Sequence, residues 1–386
     1  MKDGGEMEGR PKHSPLGASG ADRWMTCPGS VALTNKFGMP EVDEDPVWTR
    51  EGTAMHEVLN TCLAEGLEPW EFLGQKIENV EITAELTDAV QVGVDHVRSL
   101  TTPIAKLFLE YPISSPIHPL FYGTLDVGIV YDSIIHIVDF KGGAGIVVDV
   151  EHNPQFMYYA FGLLQHYPDV RRVILHVVQP RAFHADGPVR SWEISADDLN
   201  AWVYDELVPA MQRAGRDETL EAGDHCRFCP AKLLCPLLTG LFNAAATYNP
   251  KAIPSQDDVN LGQSYAQIQS VKFYLKALEE EAFRRARKGN DLGTVKLVHK
   301  KANRVFQPGA AEVFIAKYGD AAYTDRTLKS PAEMEKIDAV AKALVHEHAF
   351  TPTSDLTLVA DEDKRPGVKV TPPTQTFAAY LEMAKA

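Results

Sequence analysis

Tyr122-Gly-Thr-Leu-Asp-Val-Gly-Ile-Val-Tyr131, then Asp132-Ser133, then Ile134-Ile-His-Ile-Val-Asp-Phe-Lys141 is the stretch that decides how this chain folds. Both arms are rich in β-branched and aromatic residues, which suit half-buried strands. Asp132-Ser133 stands where a two-residue turn closes a hairpin. With that turn Tyr131 faces Ile134, and counting back along both arms sets Asp126 directly opposite Asp139, their Cβ atoms about 5 Å apart. Lys141 lies two residues beyond Asp139 and shares its face, because side chains alternate along a strand. A slip of one residue in the turn would separate the two acids.

Outward from the hairpin, helices and strands alternate. Glu51–Glu65 places Met55, Val58, Leu59, Cys62 and Leu63 on one apolar helical face, with Gly66 to end the helix. Thr83–Leu100 is a second helix and Lys106–Tyr111 a strand. Asn153–Gln165 is a helix, Arg172–Val178 a buried strand, and a helix starts at the cap Ser195 and runs to about Ala214. Farther on, Asn249–Pro254 has linker composition, Gln263–Lys288 is a long helix, and Thr294–Phe306 a strand pair. The domain plan is therefore a disordered 1–20 rich in Gly, Pro and charge, a folded 21–240, a helical and hairpin extension over 255–363, and a linker with an amphipathic helix over 364–386. There is no internal repeat.

The 386 residues are 45% hydrophobic and 24% charged, an ordinary globular balance. No run approaches the length of a membrane span, and the start lacks an apolar signal core, so a cytoplasmic protein without membrane contact is expected. Five cysteines without secretory context argue for metal ligation plus a spare thiol rather than disulfides. The net charge of −15 argues weakly against nucleic acid as a partner. Locally the balance reverses: Lys272 to Arg304 holds ten basic and four acidic residues. That strip, with Arg284, Arg285, Arg287, Lys300, Lys301 and Arg304, is either a solvated helix face or a contact for a DNA backbone.

Two carboxylates so close repel unless a cation holds them. Mg²⁺ or Mn²⁺ takes oxygen ligands and activates a water for attack on phosphate, and a lysine supplies charge where the transition state is negative. Asp126, Asp139 and Lys141 fit that chemistry; the plain alternative is a pair of strand-end acids near solvent. A lone helical histidine is more often packed or solvated than a ligand, but His56 in Glu51-Gly-Thr-Ala-Met-His-Glu57 precedes the hairpin and is a candidate third ligand. Glu57 reads as solvated. Gln155 and Tyr159 share a helix face at i, i+4, either lining the site or, for Tyr159, simply core. Gly142-Gly-Ala-Gly145 is a turn that would let DNA approach. No phosphate-binding Gly-x4-Gly-Lys loop occurs, so no motor activity is encoded.

Cys27 stands alone, and Cys226-x2-Cys229-x5-Cys235 follows far downstream. Zinc favours two close Cys pairs, whereas iron–sulfur clusters accept irregular spacing. Pro28, Pro230 and Pro236 follow three of the four and suit ligand loops. Cys62 belongs to an apolar helix face.

In this order, His56, Asp126, Asp139-Phe140-Lys141 and Gln155-x3-Tyr159 resemble the RecB-type branch of the PD-(D/E)XK nucleases. The cysteine arrangement is similar to the iron–sulfur nucleases of the AddB and CRISPR-associated RecB-like groups. Ser19-Gly-Ala-Asp-Arg-Trp24-Met-Thr-Cys27-Pro-Gly-Ser30 and the Glu51-Gly-Thr-x2-His56 box most resemble a phage and prophage family of such nucleases. The resemblance covers roughly residues 17–240 and, loosely, 260–306. It implies an α/β, restriction-endonuclease-like core: a central mixed sheet flanked by helices. It further implies Mg²⁺ or Mn²⁺ held by His56, Asp126, Asp139 and the Phe140 carbonyl, and a 4Fe–4S cluster on Cys27, Cys226, Cys229 and Cys235, with zinc the lesser possibility. Asp139 stands where many relatives have Glu. The expected function is a deoxyribonuclease, an exonuclease of phage recombination or DNA processing, with DNA and a phage single-strand-binding or annealing protein as partners. The alternatives are a non-catalytic DNA-binding or assembly module that keeps fold and cluster, and a zinc-clamped structural protein.

Overall fold

Tyr131 pairs with Ile134 and Val127 with Val138, so the hairpin has the register expected of a two-residue turn. Asp132 takes the left-handed φ of 50° that the first position of such a turn needs. The computed structural model describes residues 13–38, 47–144, 146–246, 258–300, 304–324, 327–350, 356–360 and 367–368. The chain divides into two compact units, Met1–Leu275 and Lys276–Ala386.

In the first unit the hairpin lies inside a five-stranded mixed sheet flanked by helices. The strands are β1 (Lys106–Ser114), β2 (Tyr122–Tyr131), β3 (Ile134–Phe140), β4 (Arg172–Val178) and β5 (Val189–Ser195), in that spatial order. All neighbours are antiparallel except β3 and β4, which run parallel. A parallel pair needs a crossover, and the helix Pro154–Leu164 supplies it.

Side chains alternate across the sheet and build two cores. On one face Leu125, Ile135, Ile137, Leu175 and Val177 meet the crossover helix, the helix Ala196–Trp202 and the N-terminal Trp24. On the other, Val127, Ile129, Val138 and Phe140 meet the helices Val47–Glu65 and Ala84–Leu100. Thr83 caps the latter, accepting from the Leu86 N–H. Ser195 likewise caps its helix, accepting from the Asp198 N–H. Cys62 is fully buried in the second core, as its helical position predicts.

Three histidines form a chain beside that second core, His136 and His176 buried and His96 half-buried. Tyr131 Oη lies 3.1 Å from His136 Nε2, His136 Nδ1 is 3.0 Å from His176 Nε2, and His176 Nδ1 is 3.2 Å from His96 Nε2. Burial lowers the pKa of His136 to about 4 and that of His176 to about 3, so the rings stay neutral at ordinary pH and satisfy one another.

The N-terminal expectation is corrected from His13 onward. Leu16 and Ala18 are buried in the core, and Ser14 Oγ donates to the Leu120 carbonyl at 2.6 Å. Apolar Leu16 outweighs the surrounding Gly and Pro. Residues 1–12 lie outside the described residues, as do 247–257, which contain the expected linker, and most of 364–386. The second unit has its own small core around Phe314, Met334 and Val345. The hairpin expected over Thr294–Phe306 is not what forms there. Val295–His299 pairs with Leu356–Ala360, and Val305–Phe306 with Ala349–Phe350. A segment downstream offers both strands a partner that local pattern does not reveal. Among the described residues no helix is long and apolar enough to cross a membrane.

Candidate functional site

Asp126 and Asp139 come together near one end of the sheet. The Phe140 N–H donates to Asp126 Oδ2 at 2.9 Å, holding that carboxylate across the hairpin. His56, one third exposed, turns its Nδ1 to 3.5 Å from the same Oδ2. Its helix packs closely on Gly142, where a Cβ would stand 2.2 Å from the terminal methyl of Met55 and displace that flexible side chain. Arg181 fixes the same junction, donating from Nη1 to Glu51 Oε2 at 2.9 Å and to the Gly142 carbonyl at 3.1 Å. Glu57 is exposed, as expected.

Asp139 is buried, at 2% exposure. Lys141 Nζ lies 2.9 Å from its Oδ2, and Gln155 Nε2 donates to its Oδ1 at 3.1 Å. Lys141 Nζ also donates to Gln155 Oε1 at 3.1 Å. The ammonium sits off the hydrogen-bonding directions of Oδ2, which therefore accepts no hydrogen bond. Burial pushes the Asp139 pKa up, Lys141 opposes that shift, and Asp126 adds to it. Asn153 caps the crossover helix by accepting from the Gln155 N–H at 3.0 Å, which fixes where Gln155 starts. Tyr159, one turn on, is buried, and burial followed by the nearby Asp139 and Asp126 raises its pKa.

Glu110 joins the site and is absent from the sequence-derived set. Leu109 pairs with Val127 and Tyr111 with Leu125, so Glu110 faces Asp126. Its φ of 42° is a strained value for a side-chain-bearing residue. Desolvation, then the Asp126 charge, raises its pKa, against His56. His56, Glu110 and Asp126 each bring a ligand atom within 4.8 Å of the others. Asp139 is not part of that mutually close set. An imidazole and two carboxylates, one with its pKa raised beside the other, fit a divalent cation.

The four distant cysteines converge and are all buried. The Glu221 N–H donates to Cys27 Sγ at 3.4 Å, and the Gly29 N–H to the Thr219 carbonyl at 2.9 Å. Gly29 has to be glycine, since a Cβ would stand 2.6 Å from the Glu218 carbonyl oxygen. His225 Nε2 lies 3.8 Å from Cys226 Sγ, and hydrogen bonds to Cys226 and Cys27 push its pKa up to about 10. Burial would raise the Cys27 pKa, but His225 and two backbone donors outweigh it and lower it. Burial raises Cys229 and Cys235. A single zinc with Zn–S bonds of about 2.3 Å needs sulfurs about 3.8 Å apart. Among the described residues the thiols form no set of three within 4.8 Å. The all-thiol donor set suits either zinc or an iron–sulfur cluster.

The basic strip is partly neutralised within its own helix. Arg284 pairs bidentately with Glu281 at 2.7 and 2.8 Å, and Arg285 shares the same carboxylate at 2.7 Å. Arg284, then Arg285, lowers the Glu281 pKa to about 2. Arg304 pairs with Glu335. Arg287 and Lys300 are exposed, whereas Lys301 and Gly145 lie outside the described residues.

The solved structure titled "Crystal structure of SSO0001" is 13% identical over 54% of this chain and 94% of that one, with a TM-score of 0.22, too low to carry an argument. The model of the family described as "Protein of unknown function (DUF2800)" matches residues 13–366, nearly all of the sequence, and the chain belongs to that family.

Proposed function

We propose that this protein is a metal-dependent deoxyribonuclease of the RecB-type PD-(D/E)XK kind, hydrolysing phosphodiester bonds as an exonuclease of phage recombination or DNA processing. One arrangement supports the reading: two carboxylates of one hairpin, Asp126 and Asp139, stand with His56, Glu110 and Lys141 at one site. His56, Glu110 and Asp126 would hold Mg²⁺ or Mn²⁺, with Asp139 and the Phe140 carbonyl completing the shell. Such an ion supplies Lewis-acid stabilisation of phosphate charge and an acidified water. Lys141 places a positive charge beside the reacting phosphate. Gln155 keeps Lys141 and Asp139 aligned through its two hydrogen bonds. Phe140 N–H aims Asp126, and Tyr159 backs the site with a hydroxyl that stays protonated.

The proposal includes a structural 4Fe–4S cluster on Cys27, Cys226, Cys229 and Cys235, supported by the burial of the four free thiols near one another. It also includes DNA-backbone contacts from the basic strip, to which the exposed Arg287 contributes more than the paired Arg284, Arg285 and Arg304. Incubation with linear single- and double-stranded DNA, in Mn²⁺ or in EDTA, tests the activity. Asp126→Ala or Lys141→Ala should abolish cleavage and leave the fold intact. Wild-type rates from either purified variant would refute the assignment.

A further inference from the structure

A second cavity lies on the same face of the sheet as Asp139. Asp139 pairs with Val177, and Val177 with Arg190, so the three stand in one row across β3, β4 and β5. Two strand spacings of about 4.8 Å put Arg190 about 10 Å from Asp139. Around Arg190 opens a cleft of about 690 Å³, within the usual size range of small-ligand pockets. Trp192 and His152 form an aromatic wall, their ring centroids 4.5 Å apart. His152 holds a left-handed φ of 53°, directly before the cap of the helix that carries Gln155.

Arg190 is 8% exposed. Its Nη2 donates to the Val148 carbonyl and to Gln179 Oε1, but its buried Nη1 has no hydrogen-bond partner among the described residues. A buried guanidinium nitrogen left unpaired is costly unless a ligand completes it. Asp149, Glu151 and Asp186 also line the cleft. Phe183, in the same loop as Asp186, is 92% exposed. That loop is tied to the residue after Lys141 through Arg181 and the Gly142 carbonyl.

We propose that this cleft receives one unpaired, amine-bearing base of the strand being cut. The inference rests on the nuclease reading. Three carboxylates repel a phosphate but accept from the exocyclic amines of cytosine, adenine or guanine. Arg190, at the floor of the cleft, sets a positive charge beneath the ring nitrogens and carbonyls of the base. Trp192 stacks on its face with the tilted His152 ring at its edge, and Phe183 stacks on its neighbour. A paired base cannot enter, so the cleft selects single strands or frayed ends.

The test is fluorescence anisotropy of the full chain, in EDTA, with single-stranded oligodeoxycytidylate, oligothymidylate and a blunt duplex. The expected result is tighter binding of deoxycytidylate than of thymidylate. Trp192→Ala should weaken deoxycytidylate binding on the order of tenfold, Trp192→Phe should restore most of it, and duplex binding should not change. His152→Ala, whose side chain is 74% exposed, serves as a second variant should Trp192→Ala fail to fold. Equal affinity for the two homopolymers, or no loss in the folded variants, overturns the proposal. EDTA separates the two readings. Base-selective binding without any Mn²⁺-dependent cleavage refutes the nuclease and keeps the cleft; cleavage without base selectivity refutes the cleft alone.

Discussion

Replacing Lys141 by Met keeps the volume of the side chain and removes its charge from a carboxylate that is almost wholly buried. Breaking a buried pair from one side costs about 3–5 kcal/mol. Here the lower end applies, because the Lys141 side chain is 27% exposed and Gln155 still donates to Asp139 Oδ1. The loss should therefore be about 3 kcal/mol at pH 8. It should shrink with acid. The folded-state pKa of Asp139 lies above its unfolded value, so the folded protein holds the proton more tightly. Stability then falls as pH rises through the window from about 3.9, the unfolded value, to the folded one. Lys141 is the largest influence lowering that folded pKa, so Lys141→Met extends the window upward. At pH 5 the variant carries Asp139 protonated and the uncompensated charge disappears. Each unit of added shift returns about 1.4 kcal/mol there relative to pH 8. Urea unfolding of wild type and variant at both pH values, in EDTA, measures the difference. A destabilisation equal at pH 8 and pH 5, or below about 0.5 kcal/mol at pH 8, the scale of an ordinary surface substitution, would refute the reasoning.

Two other predictions address the metal centres. Glu110→Gln should lower Mn²⁺ affinity at least tenfold in calorimetric titration without changing the melting temperature of the metal-free protein; unchanged affinity would remove Glu110 from the ligand set. Cys27→Ser should lose iron and melt at lower temperature, because ligation is coupled to folding. Stoichiometric zinc without iron in anaerobically purified wild type would refute the iron–sulfur form.

What can be read from the residues depends on how local the determining interaction is. The hairpin register follows from two turn residues, and the opposition of Asp126 to Asp139 follows from the register. The helices Val47–Glu65 and Ala84–Leu100 are readable from periodicity because each buries one face. Glu110 is not readable this way. It faces Asp126 through the β1–β2 pairing, whose connection over residues 115–121 is not a two-residue turn and so carries no register signal. The histidine chain joins a helix to two strands, and each member alone looks like an isolated polar residue. The same holds for Val295–His299, whose partner lies more than fifty residues downstream. The bias toward disorder at 13–20 came from composition, which cannot weigh the burial of Leu16 against neighbouring Gly and Pro.

The junction of Gly29 with Thr219 and of Cys27 with Glu221 also dictates an order of assembly. The loop it closes contains all five strands of the sheet. During synthesis Cys27 and Gly29 emerge early but meet Glu221 and Thr219 only after that segment has left the ribosome. Long-range closure of this kind slows folding and leaves apolar surface exposed meanwhile. Whatever the thiols bind is thus loaded late, so its presence in a purified sample reports that the chain has been made and folded at least through Cys235.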